Sequence, residues 1–151
     1  MLIIPTSSSV VGEPGDRLRA IDRFDGIFLR AAKKSIVKSK RRDIDILFLS
    51  PIFGLVEAAE QVPFHKPMPG GWRSFQISTQ EAENLRIKNS SKLRALLEKD
   101  RYSEAYLNVG QKYLALLDLS PLSNLIVTFS KGGGPGPKAA HMKAWIEGHL
   151  S

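Results

Sequence analysis

The sequence predicts an α/β domain, a mainly parallel sheet of about four or five strands with helices on both faces. Three observations predict it. Short, almost wholly apolar runs recur at residues 2–4, 44–49, 105–109 and 125–129, as strands buried on both faces do. Stretches with helical spacing separate them. No linker and no internal repeat divides the 151 residues, which suits a single domain over 1–151.

Each element follows from its residues. Leu2-Ile3-Ile4, closed by Pro5, reads as the first strand. Thr6–Gly15 is rich in Ser, Gly and Pro and reads as a loop. Arg23 to about Val37 reads as a helix, with Phe24, Ile27, Phe28, Ala31 and Ala32 at helical spacing and cations on the other side. Ile44–Leu49 is the second strand, stopped by Ser50-Pro51. Ile52–His65 is less regular, and Val56–Gln61 fits a short helix. Lys66–Trp72, with two Pro and two Gly, is a loop. Thr79 to about Lys99 is a helix with Ser78 or Thr79 as its cap and Glu81 and Glu83 near its positive end. Asn89-Ser90-Ser91 is a point where it could be interrupted. Ala105–Val109 is the third strand, and Gly110 turns it into a helix over Gln111–Leu117. Leu125–Phe129 is the fourth, Ser130–Pro137 a glycine-rich loop, and Lys138–His149 the final helix.

Composition excludes several classes. With 42% hydrophobic and 25% charged residues the chain is globular rather than disordered. No apolar run approaches the ~18 residues of a membrane span, and Met1–Pro5 is too short and lacks the basic flank of a signal peptide. The absence of Cys removes disulfides, thiolate metal sites and a cysteine nucleophile, and suits a cytoplasmic protein. His65, His141 and His149 have no ligand spacing, so neither a metal nor a cofactor is expected.

The net charge of +7 favours a polyanionic partner. Arg30, Lys33, Lys34, Lys38, Lys40, Arg41 and Arg42 form a stretch without acids between Asp25 and Asp43. Such a run attracts phosphates, and so is the candidate nucleic-acid face. Equally, it places cations against a helix C-terminal dipole.

In an open parallel sheet, ligands bind beyond the carboxyl ends of the strands. The residues that follow the four strands are Thr6 and Ser7 to Ser9, then Ser50 and Gly54, then Asn108 and Gly110, then Ser130, Lys131 and Gly132 to Gly134. Parallel strands would gather them into a crevice of hydroxyls, an amide, a lysine and free backbone N–H groups, suited to a base, sugar or phosphate. The same residue types also serve turns and caps. The glycine loop lacks the Gly-Lys-Ser/Thr ending of a Walker sequence, and Pro135 and Pro137 remove two donors. A lid, a connector and an anion cradle all fit it. His65 could act as a general base if its loop folds over the rim, or be a surface histidine; Glu57 and Glu60 could add a carboxylate there, or belong to a solvated helix.

Residues 47–56 (Leu47-Phe48-Leu49-Ser50-Pro51-Ile52-Phe53-Gly54-Leu55-Val56), followed by Val62-Pro63-Phe64-His65 and Met68, resemble the signature of the peroxide-stress YaaA-like family. Tyr106-Leu107-Asn108-Val109 with Tyr113-Leu114 resembles its second signature, Leu2–Pro5 its opening strand, and Val127–Lys131 with Met142 its closing strand and helix. The resemblance implies an α/β protein that binds DNA and is linked to protection from oxidative damage; Ser50, Gly54 and Asn108 carry over best. The expected function is therefore DNA or nucleotide binding. The basic run would lie on phosphates, and Thr6, Ser7, Ser50, Gly54, Asn108, Gly110 and Lys131 would form a polar rim pocket. The alternative is an enzyme acting on a nucleobase or nucleoside at that rim. Ser50 and Asn108 would orient the base, and His65 or Glu60 would move a proton.

Overall fold

The computed structural model describes residues 1–6, 10–66 and 76–150. It is a mixed α/β structure around a five-stranded sheet that is parallel except for one edge strand. The elements run β1 (Leu2–Pro5), β2 (Leu18–Arg19), α1 (Ala20–Arg23), α2 (Ile27–Ser39), β3 (Ile46–Ser50), β4 (Gly54–Glu57), β5 (Gln61–Val62), α3 (Thr79–Lys99), β6 (Glu104–Leu107), α4 (Gln111–Leu114), a 3-10 turn (Ser120–Leu122), β7 (Ile126–Phe129) and α5 (Pro135–Ile146).

Strand order is β4-β3-β1-β6-β7. β1 is central, with Leu2 opposite Ile46 on one side and Tyr106 on the other. Successive side chains alternate between faces. Ile3, Leu47, Leu49 and Leu107 share a core with Leu93 and Leu96 of α3. Leu2, Ile4, Ile46, Phe48 and Tyr106 share another with Leu29 and Ala32 of α2 and Met142 and Ile146 of α5. β7 closes the other edge, with Ile126 and Phe129 exposed at its two ends.

Several elements differ from the sequence expectation. Residues 56–61 form no helix. Gly54–Glu57 turns back along β3 as an antiparallel strand, and Gln61–Val62 pairs with Leu18–Arg19. Glu, Ala and Ala favour helix locally, but pairing with β3 overrides that preference. The helix expected from Arg23 is two pieces, broken at Phe24, Asp25 and Gly26, because Gly26 takes an extended conformation (φ −177°) and Ile27 begins α2. Asn89-Ser90-Ser91 does not interrupt α3. α4 stops at Leu114 rather than Leu117. α5 begins at Pro135, three residues earlier than expected; Pro suits a first helical turn, where its missing N–H has no intrahelical partner.

No described helix is long and apolar enough to cross a membrane.

Candidate functional site

β3, β1, β6 and β7 are parallel, so their carboxyl ends share one rim. The chain leaves β1 toward β3 on one side, and β6 joins β1 on the other, so the strand order reverses at β1. That is where open α/β sheets hold ligands. A cavity of about 240 Å³ lies there. Pro5 and Thr6 form its β1 wall, Phe24 and Phe48 line it from β3's side, Asp25–Leu29 bring the start of α2, and Tyr113 of α4 closes it. Its surface is overwhelmingly apolar.

Local sequence builds this cavity. The break at Phe24–Gly26 drops Phe24 into the core, where its ring packs on Phe48 at 5.1 Å. Gly26, the N-cap of α2, has no side chain to cover the helix end. Phe28 is half-buried and Ile27 is 52% exposed, so the apolar lining reaches the surface. Burial pushes the Tyr113 phenol up to about 12, so it is a neutral hydroxyl at physiological pH. Asp25, exposed at the mouth, pairs with Arg30 at 3.4 Å.

Of the rim residues expected from sequence, Thr6 alone lines this cavity among those described, and Ser7 lies outside the described residues. Ser50 is buried, and its hydroxyl accepts the N–H groups of Ile52 (3.1 Å) and Phe53 (3.0 Å), fixing the β3–β4 turn. Gly54 completes that turn at φ +75°. Asn108 is also buried, and its Nδ2 donates to the Met142 thioether of α5 at 3.7 Å. Gly110 is the N-cap of α4. Lys131 is exposed beyond β7. The rim pocket is thus aromatic rather than hydroxyl-lined, because the strand-end Ser and Asn serve the turn and the α5 contact.

The proton-transfer candidates do not converge. β4 runs away from the rim, since Gly54 faces Ser50 while Glu57 faces Leu47. Glu60 follows Glu57 and therefore lies toward the opposite end of the sheet. There it pairs with Lys92. Burial alone would raise its pKa, but the hydrogen bonds from Lys92 and the Glu57 N–H hold the carboxyl below its ordinary value. His65 is half-buried, with Nδ1 3.1 Å from the Lys66 carbonyl oxygen and its ring 6.2 Å from Phe53. Ser50, Asn108, His65 and Glu60 therefore form no single constellation.

The basic run divides in two. Arg41 makes a bidentate pair with Asp43 (2.6 and 2.7 Å) and donates to the Ile146 carbonyl at the end of α5. Lys38 pairs with Glu147 at 3.0 Å, and Lys33 donates to the Ile21 carbonyl of α1. These interactions fasten α2 to its neighbours. Lys34, Lys40 and Arg42 are exposed, and their side chains make no hydrogen bond or ion pair with a described residue. Arg30, Lys33, Lys34 and Lys38 share one face of α2 by their spacing of three and four.

Two structural residues lie hidden in the sequence. Arg23 is fully buried with no ion pair among the described residues. It donates to the carbonyls of Val62 (3.0 Å), Val11 (2.6 Å) and Asp16 (2.9 Å), and its guanidinium lies over the Phe64 ring. Asn89 accepts the Leu55 N–H at 2.7 Å and donates to the Leu116 carbonyl at 2.9 Å. Its place on the apolar stripe of α3, four positions after Leu85 and four before Leu93, is the signal that it faces inward.

Among the described residues no group of three His, Asp or Glu is placed to hold a metal ion. No family model matches the chain, and no curated protein does.

Proposed function

We propose that this protein binds a nucleobase-bearing ligand, with the base in the aromatic cavity at the carboxyl rim. One observation carries the reading: an apolar cavity walled by Phe24, Phe28, Phe48 and Tyr113 opens where the strand order reverses. Its volume, about 240 Å³, lies just below the ~300–1,000 Å³ of sites for drug-sized ligands, and so suits a base or nucleoside. Stacking is the interaction such walls offer. The YaaA-like resemblance supports the same ligand class.

The test is calorimetric titration with the four common nucleosides and their monophosphates, with product analysis by mass spectrometry. Tyr113→Ala should lose about 1–3 kcal/mol of binding, the usual worth of one stacked base. Absence of binding by every compound, or an unchanged affinity in Tyr113→Ala, rejects the proposal. Product formation would favour catalysis at the rim over binding alone.

A second reading, binding of duplex DNA, rests on the cationic face of α2. Lys34, Lys40 and Arg42 are the described side chains of the run that can reach phosphates without breaking an internal interaction. A steep fall of affinity with salt is its signature.

A further inference from the structure

The geometry points to an unphosphorylated nucleoside as the ligand, with its ribose diol held by Asp25, an inference that rests on the nucleobase reading above. Among the described residues, Asp25 is the only charged side chain lining the cavity, and it lies at the exposed mouth. An apolar floor draws the ring inward and leaves the sugar at that mouth. A carboxylate accepts hydrogen bonds only, and its two oxygens match two vicinal hydroxyl donors.

The same residue works against a phosphate. Phosphates commonly dock at the positive end of the helix that follows a strand. Here Asp25 immediately precedes Gly26, the N-cap of α2, so it sets a negative charge next to that positive end without making a capping hydrogen bond. Arg30, the nearest cation along the helix, is engaged by Asp25 and by the Gly26 carbonyl, both at 3.4 Å. No described basic side chain lines the cavity. A 5′-phosphate beside Asp25 would meet a like charge, while the one cation close to it, Arg30, is already held by Asp25 and the Gly26 carbonyl and does not line the cavity.

The experiment titrates the full chain with adenosine, guanosine, cytidine and uridine, each beside its 2′-deoxy form and its 5′-monophosphate. The bound ribonucleoside should exceed both partners in affinity by about 10-fold, within the range of one lost hydrogen bond to a charged group. In Asp25→Asn the ratio to the 5′-monophosphate should fall toward one, and in Asp25→Ser the ratio to the 2′-deoxy form should do the same. A monophosphate that binds as well as its nucleoside, or ratios unchanged in both variants, overturns the inference and leaves the base pocket standing. Failure of every compound to bind overturns the pocket reading and this inference together.

Discussion

The amide of Asn89 stands where a side chain on Gly54 would have to be. A Cβ at residue 54 would lie 2.5 Å from Asn89 Oδ1, and Gly54 already holds φ +75°. The close approach lets Asn89 reach the Leu55 N–H, and so binds the β3–β4 hairpin to α3.

Gly54→Ala should therefore destabilise the fold beyond the ~1–2 kcal/mol of placing a side chain in the left-handed region. Asn89→Ala loses two buried hydrogen bonds but removes the obstruction. In urea unfolding of both single variants and the double variant, the double should cost less than the sum by about 1 kcal/mol. Strict additivity would show that the two residues do not press on each other.

Ser50→Ala should lower stability by about 1 kcal/mol, because the N–H groups of Ile52 and Phe53, in a half-buried turn, lose their acceptor. Nucleoside affinity should stay within about twofold, since the hydroxyl does not line the cavity. A selective loss of affinity at unchanged melting temperature would return Ser50 to the binding site.

Arg23→Met keeps much of the side-chain volume but removes the donors to three carbonyls. The Val62 carbonyl is buried and would be left unpaired at about 1–3 kcal/mol, and the half-buried bonds to Val11 and Asp16 add less each, so a loss of about 2–4 kcal/mol is expected. In the variant, amides of residues 10–18 should exchange with solvent faster than in the natural chain, while those of β1 keep their rate, read by hydrogen-exchange mass spectrometry. Uniform exchange across the sheet would contradict this local role.

Acid stability should carry the signature of Asp43. The hydrogen bond from Arg41 is the main cause that lowers its carboxyl to about 2 from an ordinary 3.8. A depressed carboxyl stabilises the fold above its unfolded pKa and loses that contribution as pH falls through the folded one. The affected window is therefore about pH 4 to 2. Melting temperature measured across it should fall less steeply in Asp43→Asn than in the natural chain. The difference should be small, because the pair is largely exposed.

For DNA, the informative substitution is Lys34→Glu with Arg42→Glu. If α2 lies against phosphates, each phosphate interaction removed should flatten the plot of log affinity against log salt by about 0.9. Lys38→Glu and Arg41→Glu should also lower the melting temperature, because those two side chains hold the end of α5.

Much of the fold is readable because its strands are buried on both faces and announce themselves as apolar runs. The parallel core, α3 and the final helix follow from such patterns. β4 does not, because its register depends on Ser50, Gly54 and Asn89 meeting in space, and residues 57–60 alone favour a helix. The aromatic cavity escapes sequence reading for a related reason. Phe24, Ile27 and Phe28 have the spacing of a helix core face, and only the extended backbone at Gly26 turns that pattern into a pocket wall. Ser50 is the last residue of β3 and Asn108 directly follows β6, which stops at Leu107 rather than at the expected Val109; what sequence does not supply is the local partner that each one satisfies.

The central place of β1 has a consequence for how the chain is made. β1 leaves the ribosome before both of its neighbours, β3 and β6, and the register beside β6 brings Leu2 against Tyr106. A half-sheet can form once residue 50 has emerged. The other edge of the most apolar strand stays unsatisfied until about residue 107 follows it, several seconds later at typical translation rates of about 5–20 residues per second. During that interval Leu2-Ile3-Ile4 is an open template for strands of other nascent chains. Slowing elongation between residues 50 and 107 should therefore reduce the soluble yield, whereas slowing it after residue 130 should not.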